Sequence, residues 1–260
     1  MRLSHDPSQP PGRDVSAEAV VEGQGLKFGT AAVEYERGRP SYPREAAEWM
    51  LGDARTVVDL GAGTGKFTRT LVELGLDVTA VEPDKGMLSV LREQSPSVHA
   101  LIGSAESIPL PDSSVDALTV AQAWHWFDLD IAVPEVARVL RPGGVLGLIW
   151  NVRDESAQWV AELGDLIHRG GSQDVGVESP TVGEPFGDLE RRDFPWVHVV
   201  TLQQFLDMIA SRSYVIAMSE SERAAVLDEA TDHVLSHPGQ TREQIRVPYT
   251  THAFRSVRSP

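Results

Sequence analysis

Residues 56–75 constrain the fold more than any other stretch of this chain. They open with a β-branched, apolar run (Val57, Val58, Leu60) that carries one acid, Asp59. Glycine then occupies alternate positions, at Gly61, Gly63 and Gly65. A helical face follows in Phe67, Leu71 and Leu74, and Gly75 stops it. Strand, glycine loop and helix together form the unit by which an open α/β sheet offers backbone N–H groups to a nucleotide-like ligand. Glycine is needed there because the turn takes up φ values that side chains resist, and because the ligand must touch backbone.

Spacing separates the ligand classes that use such a loop. A phosphate-cradling P-loop places a glycine five residues before Gly-Lys and a hydroxyl after it; here Leu60 and Phe67 hold those positions. The dinucleotide fingerprint fits at Gly61 and Gly63 but has Lys66 where its third glycine allows close helix–strand packing. The next strand, residues 77–81, ends in Glu82, about 20 residues past the loop. An acid at that position is placed to accept both hydroxyls of a ribose.

The alternation continues. Met87, Val90 and Leu91 keep helical spacing; strands are predicted at 98–102, 115–121 and 145–150, and a helix at 131–140 stopped by Arg141-Pro-Gly-Gly144. Strands alternating with helices predict a doubly wound, mostly parallel sheet, an α/β fold. Beyond it, helices are expected at 155–169, 202–209 and 221–235, and extended chain at 189–200. Residues 170–187 read as a mobile loop, and 245–257 as a closing strand.

The chain resembles the class I S-adenosylmethionine-dependent methyltransferases of the small-molecule, type 11 group. Four segments carry the likeness: DLGAGTGKFT (59–68), VEPDKGML (81–88), GSAESIPLPDSSVDALTVAQAWHWF (103–127) and RVLRPGGVL (138–146). A fifth, FGTAAVEYERGRPSYP (28–43), is similar to the cover segment of a subgroup that includes trans-aconitate methyltransferases. The resemblance implies S-adenosylmethionine as cofactor, a Rossmann-like sheet with an antiparallel last strand, and a helical lid. It implies that Asp59 and the loop from Gly61 through Gly63 and Thr64 to Gly65 hold the cofactor's amino-acid end, that Glu82 binds the ribose, and that Met87 lies against the adenine. Ser104 and Ala105 would meet the adenine edge, Gln122 and Ala123 the methionine side, and Tyr35 and Arg39 of the cover segment would approach the same end. Ser104 stands where the wider family often has Asp, which replaces a charged acceptor with a neutral hydroxyl.

The chemistry implied is an in-line displacement, in which the protein supplies alignment and a dry site. A base is required only when the acceptor must lose a proton, as an alcohol or phenol does and a carboxylate does not. His125, between Trp124 and Trp126 after the fourth strand, is the candidate base. Trp124, Trp126 and Trp150 follow carboxyl ends of predicted strands and are candidate walls of a substrate pocket, with core filling as the alternative. The Asn/Asp-Pro-Pro-aromatic signature of amino-directed enzymes does not follow strand four. His125 and His168 have no ligand-like neighbour in sequence, so no metal site is expected. A non-catalytic cofactor-binding module and, with the third glycine missing, a nicotinamide oxidoreductase are the other readings.

Composition sets the outer bounds. Thirty-eight acidic against 23 basic residues leave a net charge of −15, which argues against a large nucleic-acid footprint. The absence of cysteine excludes thiolate catalysis and disulfides. No apolar run is long enough to span a membrane, and the N-terminus lacks the apolar core of a signal peptide, so a cytoplasmic protein is expected. Residues 1–25, with Pro7, Pro10, Pro11 and Gly12, read as a disordered tail; 26–50 read as a cap, 51–151 as the cofactor-binding domain, and 152–260 as late strands plus lid.

Overall fold

The computed structural model describes residue 36 and residues 39–167 and 180–259. The expected tail, Tyr35 and most of the expected 170–187 loop lie outside those residues.

Helix α1 (Arg44–Leu51) leads into β1 (Thr56–Leu60), α2 (Lys66–Glu73), β2 (Asp77–Glu82), α3 (Lys85–Gln94) and β3 (His99–Ile102). Then come β4 (Val115–Ala121), a 3-10 turn at Trp124–Trp126, α4 (Leu129–Val139) and β5 (Leu140–Arg153). The chain ends with α5 (Gln158–Ile167), β6 (Glu190–Val200), α6 (Leu202–Ala210), the short α7 (Ser213–Ile216), α8 (Glu220–Ser236) and β7 (Ile245–Val257). One seven-stranded sheet runs in the order β3-β2-β1-β4-β5-β7-β6. All neighbours pair parallel except β7, which inserts antiparallel between β5 and β6.

The central strands are apolar runs because helices cover both faces. Val57, Val58 and Leu60 of β1 and Ala117, Leu118 and Val120 of β4 are all buried. On one face α1 and α2 bring Met50, Phe67 and Leu71; on the other, α4 brings Val133, Val136 and Val139. The α3 helix starts where the Asp84 side chain accepts the amides of Gly86 and Met87, at 2.7 and 2.9 Å.

Two expectations change. Residues 141–144 do not form a loop before the fifth strand. They are an insertion within β5: Val115 pairs with Leu140, but Ala117 pairs with Val145. The extra residues are held from the far end of the chain, Gly143 N donating to Arg258 O and Arg258 N to Gly144 O. The described end of the expected mobile loop packs instead on the sheet. Phe186 is buried in the main apolar cluster, and Trp124 Nε1 donates to Thr181 O at 3.0 Å.

A second apolar cluster joins α5, α6 and α8 through Leu163, Phe205, Ile209, Ala230 and Val234 to Ile245, Val247 and Tyr249 at the start of β7. Because β7 is antiparallel, its start lies beside the carboxyl ends of β5 and β6, where Tyr249 pairs with Arg153 and Ile245 with Val200. The helical part therefore sits at the carboxyl edge of the sheet, where open α/β sheets bind ligands.

Candidate active site

The loop after β1 has the geometry its glycines predict. Gly61, Gly63 and Gly65 have φ of 68°, 56° and 85°, in the left-handed region. Their surroundings differ. A Cβ on Gly61 would stand 3.0 Å from the Ala123 Cβ, and one on Gly65 would stand 2.9 Å from Leu91 Cγ. Among the described residues, a Cβ on Gly63 would find only Met87 Sδ, at 3.7 Å. Two of the glycines thus admit neighbouring protein, while the third leaves space above the loop. The left-handed Gly65 opens α2 without a side-chain cap, the Thr68 amide in the first turn donates to the Asp59 carboxylate, and the partial positive charge of the helix start lies at the loop.

Glu82 ends β2 beside this loop and is buried. Its Oε2 accepts from Gly63 N at 2.8 Å and its Oε1 from Asp84 N at 2.9 Å. Burial raises its pKa, and the two amides oppose that shift. Each carboxylate oxygen retains a lone pair, so the residue that braces the loop can still accept two hydroxyls. Met87 enters from the first turn of α3 beneath Gly63. After β3, Ser104 bridges to Ser107 and is partly exposed, while Ala105 is buried in the main cluster. The carboxyl ends of β1, β2 and β3 thus bring together the loop, Glu82, Met87 and Ser104.

Asp59 sits beneath the loop and has no exposed surface. Thr68 Oγ1 donates to its Oδ2 at 2.6 Å, and Thr119 Oγ1 lies 3.5 Å from Oδ1. The direct grip on a ligand expected from sequence is therefore replaced by a strut that ties β1 and β4 to the first turn of α2. Burial, resisted by the Thr68 and Thr119 hydroxyls, raises its pKa to about 7. An acid with a raised native pKa binds its proton more tightly when folded. Its stabilising contribution is complete below the unfolded value and is lost as pH rises towards 7. Asp59→Asn, which keeps an acceptor for Thr68, is expected to flatten the decline of stability between about pH 4 and 7 by roughly 4 kcal/mol relative to wild type. Urea titrations of both proteins across that range check this.

Past β4 the chain turns at Gln122, whose φ of 61° is rare for a side-chain-bearing residue. Its amide N donates to Ile149 O, and its Nε2 donates to Asn151 O at 3.2 Å. Asn151 donates to Ser41 O at 2.9 Å and accepts from Thr251 Oγ1, which in turn accepts from Trp196 Nε1 at 2.9 Å. This network ties the cap segment to β5, β6 and β7. A cavity opens beside it, lined by Arg39, Pro40, Tyr42, Lys66, Gln122 and Asn151. The cap is held over α2 by Glu36, whose Oε1 accepts from Arg69 at 2.5 Å and lies 3.5 Å from Lys66 Nζ, and by the Tyr42 ring edge-on to Phe67. Desolvation lowers the Lys66 pKa, and Glu36 partly restores it.

The tryptophans divide. Trp150 is buried edge-on to Phe254, so it is core and not pocket wall. Trp124 is buried too, edge-on to Phe127. Trp126 is 41% exposed, and His125 lies exposed beside it, ring centroids 4.7 Å apart. His125 is therefore not sandwiched between the two indoles. Desolvation against its neighbours pushes its imidazole below the ordinary histidine range.

Sequence reasoning missed Tyr42, Lys66 and Asn151 as cavity residues, and also His198 on β6, whose pKa burial and the Lys66 charge both lower. Asn151, at the carboxyl end of β5, carried a positional signal. Lys66 carried one too, as the residue standing where a dinucleotide loop has glycine.

Known proteins share this architecture. A methyltransferase-domain family model, type 11, matches residues 58–148. An uncharacterized methyltransferase of Mycobacterium tuberculosis is 51% identical over 234 residues, which cover 89% of this chain and 96% of the relative. An uncharacterized methyltransferase-like protein of Schizosaccharomyces pombe is 34% identical over 250 residues, covering 90% and 96%. A solved structure from Anaeromyxobacter dehalogenans, a proposed type II methyltransferase, is 29% identical and superposes with a TM-score of 0.71 over 85% of this chain and 99% of that one. A phosphoethanolamine N-methyltransferase of Haemonchus contortus, solved with S-adenosylhomocysteine, is 14% identical. It shares the fold with a TM-score of 0.51 over 92% of this chain and 59% of that one.

Proposed function

The chain belongs to the class I S-adenosylmethionine-dependent methyltransferases, and from that premise we propose that its acceptor is a small molecule presenting a carboxylate. The cofactor, when bound, supplies an electrophilic methyl group on a sulfonium. The residues present fit it: the space over Gly63, the uncapped start of α2 and the remaining lone pairs of Glu82 make a cradle for its amino-acid end and ribose. Gly61, Thr64 and Gly65 shape that cradle, and Ser104 would take the adenine edge. Gln122 and Ala123 would line the methionine side, with Arg39 of the cap facing the same end.

The observation that carries the acceptor class is the placing of two cations, Arg39 and Lys66, on the wall of a small polar cavity, with Lys66 shared by Glu36 at 3.5 Å. An arginine fork suits a carboxylate, and Lys66 adds positive charge that Glu36 only partly offsets. The likeness of the cap to the trans-aconitate subgroup supports the same reading. Orientation and exclusion of water then do most of the work, because an ionised carboxylate is already a nucleophile. A screen of small di- and tricarboxylic acids, phenols and lipids with labelled S-adenosylmethionine tests the proposal. Base-labile methyl esters are expected, and turnover of phenols alone would exclude it.

A hydroxyl acceptor is the second reading, favoured by His125 on the turn after β4, whose lowered pKa leaves it neutral and able to take a proton. The two readings differ in pH dependence. With a carboxylate acceptor, the rate is expected to stay flat between about pH 6 and 9, and His125→Ala to cost less than about tenfold. With a hydroxyl acceptor the same mutation would cost about 10²–10⁴ in kcat, and the wild-type rate would fall as pH drops through the histidine's pKa. Single-turnover rates on both proteins across that range separate them.

A further inference from the structure

The helix α8 ends in two histidines one helical turn apart, His233 and, at its C-cap, His237. Residues i and i+4 share a face, and the two rings lie edge-on with centroids 5.0 Å apart. From α5, which packs against α8, Glu162 turns one carboxylate oxygen toward both: Oε2 lies 4.0 Å from His233 Nε2 and 3.9 Å from His237 Nε2. Its other oxygen, Oε1, accepts from Gln158 Nε2 at 2.8 Å, which fixes the plane of the carboxylate. The three donor atoms lie within 4.8 Å of one another, and the side chains keep 46%, 16% and 28% exposure for Glu162, His233 and His237.

We propose that Glu162, His233 and His237 form a binding site for a divalent first-row transition ion, with Zn²⁺ suited to the set. Two imidazoles and one carboxylate are a familiar three-ligand zinc set, leaving a fourth position for water. Bonds of about 2.0–2.1 Å place tetrahedral donors about 3.4 Å apart, so the site must contract by roughly 1 Å, within reach of side-chain rotation. The carbonyl-rich end of a 17-residue helix adds partial negative charge where the cation would sit. One group competes. His233 Nε2 lies 2.8 Å from the Trp159 carbonyl and must exchange that hydrogen bond for the ion. That competition weakens binding, because the ion must displace the hydrogen bond before His233 can ligate. The bound ion would clip α5 to α8 and so stiffen the lid. The expectation that no metal site is present rested on His125 and His168; the His-x-x-x-His spacing at 233–237 was the local signal, and Glu162 was visible only once α5 and α8 were packed together.

Zinc chloride titrated into the chelator-treated full chain by calorimetry tests this. One ion per chain is expected, with a rise in Tm that saturates with it. Glu162→Gln and His237→Ala should each weaken binding by at least about tenfold, and the His233→Ala/His237→Ala pair should remove both the binding and the Tm rise. S-adenosylhomocysteine affinity, measured on every variant, should be unchanged and serves as the check of folding. Absence of saturable zinc binding in wild type would overturn the proposal. So would equal binding in wild type and in either single variant that retains cofactor affinity, because the ion would then sit elsewhere. Since zinc binding is read without turnover, either result leaves the methyl-transfer reading intact.

Discussion

Gly63→Val is expected to lower the affinity for S-adenosylhomocysteine at least about 100-fold while the protein still folds. The reason is an asymmetry among the three loop glycines. At Gly63 an added Cβ meets, among the described residues, no backbone and only the Met87 sulfur at 3.7 Å, so the branches of a valine would stand in the space over the loop. The positive φ adds strain of roughly 1–3 kcal/mol, which a domain of this size can bear. Gly61→Val and Gly65→Val should behave differently, because their Cβ atoms would press on Ala123 at 3.0 Å and on Leu91 at 2.9 Å. These two are expected to lose thermal stability together with binding. Calorimetry for the ligand and thermal melts for the fold separate the two effects. A Gly63→Val protein that melted near wild type and bound normally would move the cofactor off this loop.

That asymmetry also marks the limit of what could be read from residues in order. The alternate glycines, the acid ending β2 and the strand–helix alternation are local patterns, and the structure contains them where spacing placed them. What escaped depends on contacts between distant segments. Asp59 reads as a ligand-facing acid until α2 and β4 bring Thr68 and Thr119 over it and leave no surface. Arg141-Pro-Gly-Gly144 reads as a helix stop followed by loop, since nothing nearby reveals that Arg258 will hold Gly143 and Gly144 in the sheet. Trp150 follows an apolar strand as a pocket residue would, and only the antiparallel register with β7, which sets Phe254 against it, makes it core. The cavity is a further case. Arg39, Lys66, Gln122 and Asn151 come from four separate segments, and the positional signals at Lys66 and Asn151 did not say that the fold would bring them together.

Glu82 is the residue for which local pattern and packing agree, and its replacement should be nearly as damaging as that of Gly63. Glu82→Ala removes the acceptor proposed for the ribose and also strands two amides, Gly63 N and Asp84 N, that the carboxylate now satisfies at 2.8 and 2.9 Å. Charge-assisted hydrogen bonds contribute roughly 1.5–3 kcal/mol each, so loss of even one costs about tenfold or more in S-adenosylhomocysteine affinity, and loss of both about 100-fold or more. Glu82→Gln should not rescue it. A carboxamide has one oxygen, and its NH₂ would face an amide that has only a proton to offer. The pH dependence carries the sign. Burial raises the Glu82 pKa, so its protonation begins at a higher pH than for an exposed glutamate. Cofactor affinity in wild type is therefore expected to fall as pH decreases through that raised value, whereas the weak binding of Glu82→Gln should not follow that titration. Isothermal titrations between about pH 4.5 and 8 check both arms. Wild-type affinity that stayed constant down to the low end, together with undiminished binding by Glu82→Ala, would remove this carboxylate from the cofactor site and leave it as a brace for the loop alone.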